Sequence, residues 1–403
     1  VNYPLSPEIE VELSEPVVVA LAQPGERRWG VHQFPALSRL PDKSILVMYA
    51  DAPDSHATHG KEAPAFVSRD EGKTWEPYAG ALNVIRPHFS ISAVYNDEYL
   101  VAPAQPYLNW REENITLPQP VSQADIYGPR SYYALEDLPV KLRSHFGVLY
   151  GQRYTPQTNR WAEEDIRYDN GGRIITRHGT GADGDILPQT FLERALLKHG
   201  GELFYAEYRG QYRTATGHPP IKGILTCMVS TDNGRTFQRR STISADPSGH
   251  NLRGEGNLAA TTDGRLVCLL RQQDQVVKPM KICWSSDRGK TWTESKDLFT
   301  FGVFPCVLSL DNGIMALSYG RPGVWLSFAA DGTGEQWSEP LPVIGGSQER
   351  VTEHSCGYTS LLPLGEDSFL LAYSDFLHRR PDDETCKAIL VRAVAVRRRQ
   401  TSG

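Results

Sequence analysis

Apolar residues along this chain come in short runs, each cut by a tight polar turn and followed by a second run, with no sustained helical period. The phrase occurs six times. It reads FPALSRLPDKSILVMYAD over 34–51, FSISAVYNDEYLVA over 89–102 and LERALLKHGGELFYAEYR over 192–209. It returns as EGNLAATTDGRLVCLLR over 255–271, FPCVLSLDNGIMALSYGR over 304–321 and YTSLLPLGEDSFLLAYSD over 358–375. Each copy predicts an antiparallel hairpin, and Asp263-Gly264 and Asn312-Gly313 supply residues that tolerate the positive φ such turns need.

A recurring hairpin predicts an all-β protein built from like units. Two outer strands added to each copy make a four-stranded antiparallel blade. At about 65 residues per blade, 403 residues fit a single six-bladed β-propeller domain spanning 1–403. The turns fall near 42, 97, 200, 263, 312 and 366, and the gap between the second and third is about twice the others. A long insertion at roughly 105–190 is therefore expected, with outer strands, an excursion shaping a site or interface, and one short helix near Leu135–Phe146. The alternating run Ala388–Val396 predicts a late strand of the last blade. The segment Ile9–Ala22 is expected to complete that blade, closing the ring and removing free sheet edges.

A second pattern, S-x-D-x-G-x-T-[WF], appears as SRDEGKTW over 68–75, STDNGRTF over 230–237 and SSDRGKTW over 285–292, with a degenerate copy over 327–337. Its Ser and Asp can bond the turn's own amides, its Gly allows a left-handed residue, and its aromatic can pack beneath the turn. These turns are expected at the outer blade edges in a structural role, without catalysis or calcium.

Composition narrows the function classes. The chain is 40% hydrophobic and 22% charged, a globular profile, and no run approaches the roughly 18 apolar residues of a membrane span. The net charge of −6 is spread without blocks, so no nucleic-acid footprint is expected, and Arg397–Arg399 reads as a solvated tail. The six cysteines form no CxxC pair; Cys268 and Cys306 fall within apolar strands as small buried hydrophobes. His56 and His59 lack companions for a metal set, and nothing calls for an organic cofactor. The start at Val1 carries no targeting information, and compartment and oligomeric state stay open.

Register then picks out candidate chemistry. The start of the first strand and the end of the second reach the same face of a hairpin. Nine residues before the turn stand Phe34, Glu255 and Tyr358; at the far ends stand Arg209, Arg271 and Arg321. Pairing with surface acids is a plain reading for any one of these arginines. A Glu, a Tyr and three Arg converging on one channel mouth point instead to a ligand, since like charges gathered together cost stability.

With these residues the chain resembles the sialidase superfamily. The likeness covers most of the sequence and rests on the S-x-D-x-G-x-T-[WF] turns (the Asp boxes of that superfamily), the hairpins and the order Glu255, Arg271, Arg321 (in YGRPG) and Tyr358 (in YTSL). It implies a metal-independent retaining exo-glycosidase releasing a terminal acidic sugar, sialic acid or a related ulosonic acid, from a glycan or glycoconjugate. Tyr358 would be the nucleophile, Glu255 its base, and Arg271 and Arg321 the holders of the substrate carboxylate. A neutral phenol suits a reaction centre bearing a carboxylate, which would repel Asp or Glu. One departure stands out. Where sialidases carry the first arginine of a three-arginine clamp, this chain has Gln33, which offers hydrogen bonds but no charge. Arg28 or Arg209 could compensate, or the sugar differs. The general acid is expected in the loop 51–62, with Asp54 first, Asp51 next and His56 a rival. Other readings stay open: a propeller polysaccharide lyase acting on a uronate, an exo-hydrolase of a neutral sugar, or a non-catalytic glycan-binding propeller.

Overall fold

The computed structural model describes residues 2–4, 8–55, 57–80, 82, 90–125, 129–169, 171, 173–178, 185–187, 190–208, 211–212, 224–246, 253–272 and 277–399. The chain is all-β, with one short α-helix, Val140–Phe146, and brief 3₁₀ turns among its described residues. Three sheets are plain four-stranded antiparallel meanders, beginning with the strands Val31–Arg39, Gly254–Ala260 and Val303–Ser309. An eight-stranded sheet joins two such meanders through a parallel contact of Arg167–Asp169 with Thr236–Gln238. The last sheet, built on Thr359–Gly365, Ser368–Arg379 and Thr385–Arg398, takes in the N-terminal segment. Ile9–Leu13 pairs with Val394–Arg398, and Val17–Leu21 pairs with Ala388–Val391. A separate six-stranded sheet runs from Leu108–Asn109 to Ser122–Asp125 and takes in Gln211–Tyr212, and Tyr133 of this sheet packs with Leu142 and Phe146.

Between the sheets lie apolar layers of alternating strand residues. One packs Val47, Tyr49, Leu370 and Ile389; another packs Val267, Leu269, Met315 and Leu317. All six cysteines are buried and free of disulfides. Polar groups on the inner strands do a different job: they bridge neighbouring inner strands that share no ladder. The backbone N–H of Leu37 donates to Ser360 Oγ, that of Ile91 to Ser38 Oγ, that of Leu196 to Ser92 Oγ and that of Val307 to Asn257 Oδ1, all at 2.7–2.9 Å. Neighbouring inner strands cannot form a backbone ladder with one another, so these side chains satisfy donors that would otherwise be buried without a partner.

The S-x-D-x-G-x-T turns repeat one network three times. In the first, Gly72 N donates to Ser68 Oγ at 2.8 Å, Thr74 N to Asp70 Oδ1 at 2.9 Å and Thr74 Oγ1 to Asp70 Oδ2 at 2.6 Å. The hydroxyl and amide donors hold Asp70 and Asp287 down at about 2. The residue before the glycine is left-handed as well, with φ of 61° at Glu71 and Asn233 and 58° at Arg288.

Candidate active site

The inner strands carry an unexpected feature where they open. Gly254 faces Arg271 while Asn257 faces Leu269, so three steps on one strand match two on its partner. The same one-residue bulge lies between Val303 and Cys306 and between Gln33 and Ala36. Inside these bulges Glu255, Phe304 and Phe34 adopt left-handed φ of 48°, 50° and 54°. Such a conformation costs a non-glycine residue roughly 1–2 kcal/mol, and bulges of this kind re-aim a side chain. Phe304 stands nine residues before Gly313, the count that also finds Glu255 and Phe34. Beside them, Tyr358 follows Gly357, whose φ is 75° and whose added Cβ would lie 2.5 Å from the Arg321 nitrogen; only glycine fits.

The bulges bring Glu255, Arg271 and Tyr358 together. Arg271 Nη1 donates to Glu255 Oε1 at 2.5 Å, the Tyr358 hydroxyl donates to the same oxygen, and Phe304 N donates to Oε2 at 3.0 Å. The carboxylate and the guanidinium are 5% and 3% exposed, so the pair is a buried one. Burial works to raise the pKa of Glu255, but Arg271, the Tyr358 hydroxyl, Arg321 and Arg194 together hold it below the ordinary carboxylate value. The Tyr358 phenol is pushed well up by burial and by the Glu255 charge, with Arg271 and Arg321 opposing. The Tyr358 ring is stacked on Phe304 at 4.1 Å and tilted against Phe34 at 4.8 Å. Arg321 donates from Nη2 to the Cys356 carbonyl at 3.0 Å and lies 5.1 Å from the Trp29 ring and 5.6 Å from that of Tyr358. Behind the aromatic floor a cavity of about 450 Å³ extends between the inner strands.

The loop after Asp51 borders the cluster. Asp54 N donates to the Trp29 carbonyl at 2.9 Å, and the loop packs on Gly30, whose added Cβ would meet Ala52 O and Asp54 N at 2.4 Å each. Asp51, Asp54 and Phe34 line a small cleft there. The Asp54 side chain is exposed, whereas Asp51 Oδ1 sits 2.7 Å from Nδ1 of the buried His32. Burial keeps His32 below its usual value, with Asp51 pulling the other way.

Other expected residues stand elsewhere. Arg28 does not join the cluster: its exposed guanidinium pairs with Glu26, two residues away, a partner that needs no tertiary folding. Gln33 is wholly buried, and neither amide atom has a hydrogen-bond partner among the described residues. Arg209 and His56 lie outside the described residues. Arg194, by contrast, escaped sequence reasoning. It lies two residues into the third hairpin phrase, is 7% exposed, and touches both Glu255 and Phe304. Lys387 was missed too; its buried ammonium donates to the carbonyls of Arg28 and Val31 at 2.6 and 3.3 Å, pinning the segment that leads to Gln33.

No protein-family model matches the sequence, and no curated protein matches it. Among solved structures the chain is similar to a protein of unknown function from Dyadobacter fermentans DSM 18053, at 19% identity and a TM-score of 0.65, covering 96% of this chain and 99% of that one. It is similar to the GH93 alpha-L-arabinofuranosidase of Fusarium graminearum in complex with arabinobiose, at 12% identity and a TM-score of 0.55, covering 94% and 98%. It is also similar to the Hadza microbial sialidase Hz136, at 13% identity and a TM-score of 0.50, covering 91% and 65%. At these identities the likeness is one of fold, a propeller-like all-β architecture that is found in glycosidases.

Proposed function

We propose that this chain is a six-bladed propeller of the sialidase superfamily acting as a retaining exo-glycosidase, with Tyr358 as nucleophile and Glu255 as its base. The observation that carries the reading is the Tyr358 hydroxyl seated on a Glu255 oxygen that Arg271 also holds. A packing tyrosine needs no buried carboxylate beneath its phenol. A nucleophilic one does, because a phenol whose pKa is raised attacks only as its proton leaves.

In the first step the Tyr358 oxygen bonds to the anomeric carbon, its proton passes to Glu255, and the bond to the leaving oxygen breaks. That oxygen takes a proton from the loop acid, Asp54 before Asp51. In the second step the same loop carboxylate deprotonates water, which attacks the anomeric carbon. The released tyrosinate recovers its proton from Glu255. Arg321, with Arg271, is assigned to a substrate carboxylate, which makes a terminal acidic sugar, sialic acid or a related ulosonic acid, the favoured substrate. Asp54 is preferred as the acid because Asp51, although exposed as well, already rests on His32.

A second reading, hydrolysis of a neutral sugar such as an arabinofuranoside, is favoured by one feature. Gln33 brings no charge to a position where an arginine would complete a carboxylate clamp, and one fold neighbour was solved with arabinobiose. Turnover of 4-methylumbelliferyl sialosides, ulosonides and p-nitrophenyl α-L-arabinofuranoside by the parent, Tyr358→Phe and Gln33→Arg separates the readings. Release of an acidic sugar, lost by about 10³-fold or more in Tyr358→Phe, supports the first. Release of arabinose alone supports the second. Equal activity in the parent and Tyr358→Phe removes the nucleophile assignment.

A further inference from the structure

Arg194 is a guanidinium sealed into the wall of the inner cavity, and each of its contacts falls on a residue that shapes the site. Its Nη1 donates to Cys306 Sγ at 3.0 Å and its Nη2 to the Glu255 carbonyl at 3.3 Å, and its Cζ lies 3.6 Å from the centre of the Phe304 ring. Phe304 in turn stacks on Tyr358 with an interplanar angle of 11°, and its backbone N–H holds Glu255 Oε2. One cation thus touches two left-handed bulges on neighbouring strands and, through an aromatic ring, backs the Tyr358 ring. A buried charge is retained at a heavy desolvation cost, and an apolar side chain of similar volume would fill the same space without it. The neighbouring acids Glu193 and Glu255 and the thiol of Cys306 oppose that cost and keep Arg194 protonated.

We propose that Arg194 is a positioning residue of this site, clamping the Glu255 and Phe304 bulges to each other and so aiming the Glu255 carboxylate at the Tyr358 hydroxyl. The proposal rests on the Glu255–Tyr358 reading of the site given above, but its test needs no substrate. The charged and titratable groups facing Glu255 are Arg271, Arg321, Arg194 and Tyr358, and Arg194 is one of the cations that hold its proton affinity down.

The experiment is carboxyl ¹³C NMR of glutamate-labelled protein, with Tyr ring ¹³Cζ followed in parallel; Glu255→Gln and Tyr358→Phe assign the two signals. In the parent, the Tyr358 signal tracks the titration of Glu255 through their hydrogen bond. In Arg194→Met the Glu255 midpoint shifts upward and the Tyr358 signal ceases to track it; in Arg194→Lys, which restores the cation, both effects are partly reversed. A folded Arg194→Met protein in which tracking persists overturns the proposal. Arg194→Gln, which keeps a hydrogen-bond donor but removes the charge, keeps the test decisive where the Met variant does not fold: lost tracking supports the proposal, and unchanged tracking overturns it. Hydrolysis that is unaffected by Tyr358→Phe would remove the nucleophile assignment while leaving these NMR outcomes to judge Arg194 independently.

Discussion

Replacing Arg271 by methionine probes the buried ion pair of the candidate site. Arg271 and Glu255 are both almost wholly buried, and their contact at 2.5 Å is the largest influence opposing burial of the carboxylate. Removing one member of such a pair strands the other, which costs about 3–5 kcal/mol. Unfolding entropy of roughly 2.1 cal/mol/K per residue over 403 residues amounts to about 0.85 kcal/mol/K, so Tm should fall by about 4–6 °C at neutral pH. The pH dependence carries the sharper test. In the parent the pKa of Glu255 is depressed by folding, so its ionised form contributes stability that is present above the unfolded value and lost as pH falls through the folded one. In Arg271→Met burial prevails, because Arg321 and Arg194 pull more weakly, and the Glu255 pKa rises instead. The variant is then least stable relative to the parent near pH 7.5, and the deficit shrinks toward pH 4.5 as Glu255 becomes neutral. Thermal unfolding followed by circular dichroism at the two pH values measures both deficits. Equal deficits would mean that Arg271 contributes packing alone and that the electrostatic account of the site is wrong.

Ser360→Ala and Ser38→Ala each leave a backbone N–H of the next inner strand unsatisfied, so each should lower stability by about 1 kcal/mol in urea unfolding. A double variant should depart from additivity, since Leu37 and Ser38 are adjacent on one strand and the two bonds are coupled through its backbone. Gly357→Ala places a Cβ against the Arg321 backbone at a residue with φ of 75°, and should cost more than a typical surface substitution, on the order of 2 kcal/mol or more. It should also broaden the Tyr358 ring resonances relative to the parent.

The hairpin periodicity and the turn residues were legible in the linear chain because both are local. A Gly at a tight turn and an apolar alternation of period two act within a few residues, whatever the rest of the chain does. Counting from those turns located Phe34, Glu255 and Tyr358, and the strand ends located Arg271 and Arg321. The bulges were not legible, since Glu255, Phe304 and Phe34 are not residues that announce a left-handed backbone; only the pairing register between strands forces it. Arg28 looked available from its place near Gln33, yet Glu26 captures it locally. Nothing local marks Arg194, because its partner ring on Phe304 is 110 positions away in sequence. The linear chain carries a repeat of β-hairpins with a Glu, a Tyr and arginines at matching positions. Folding selects which charges are buried together, because desolvation and ion pairing act through space between strands whose distance in sequence carries no trace of their contact.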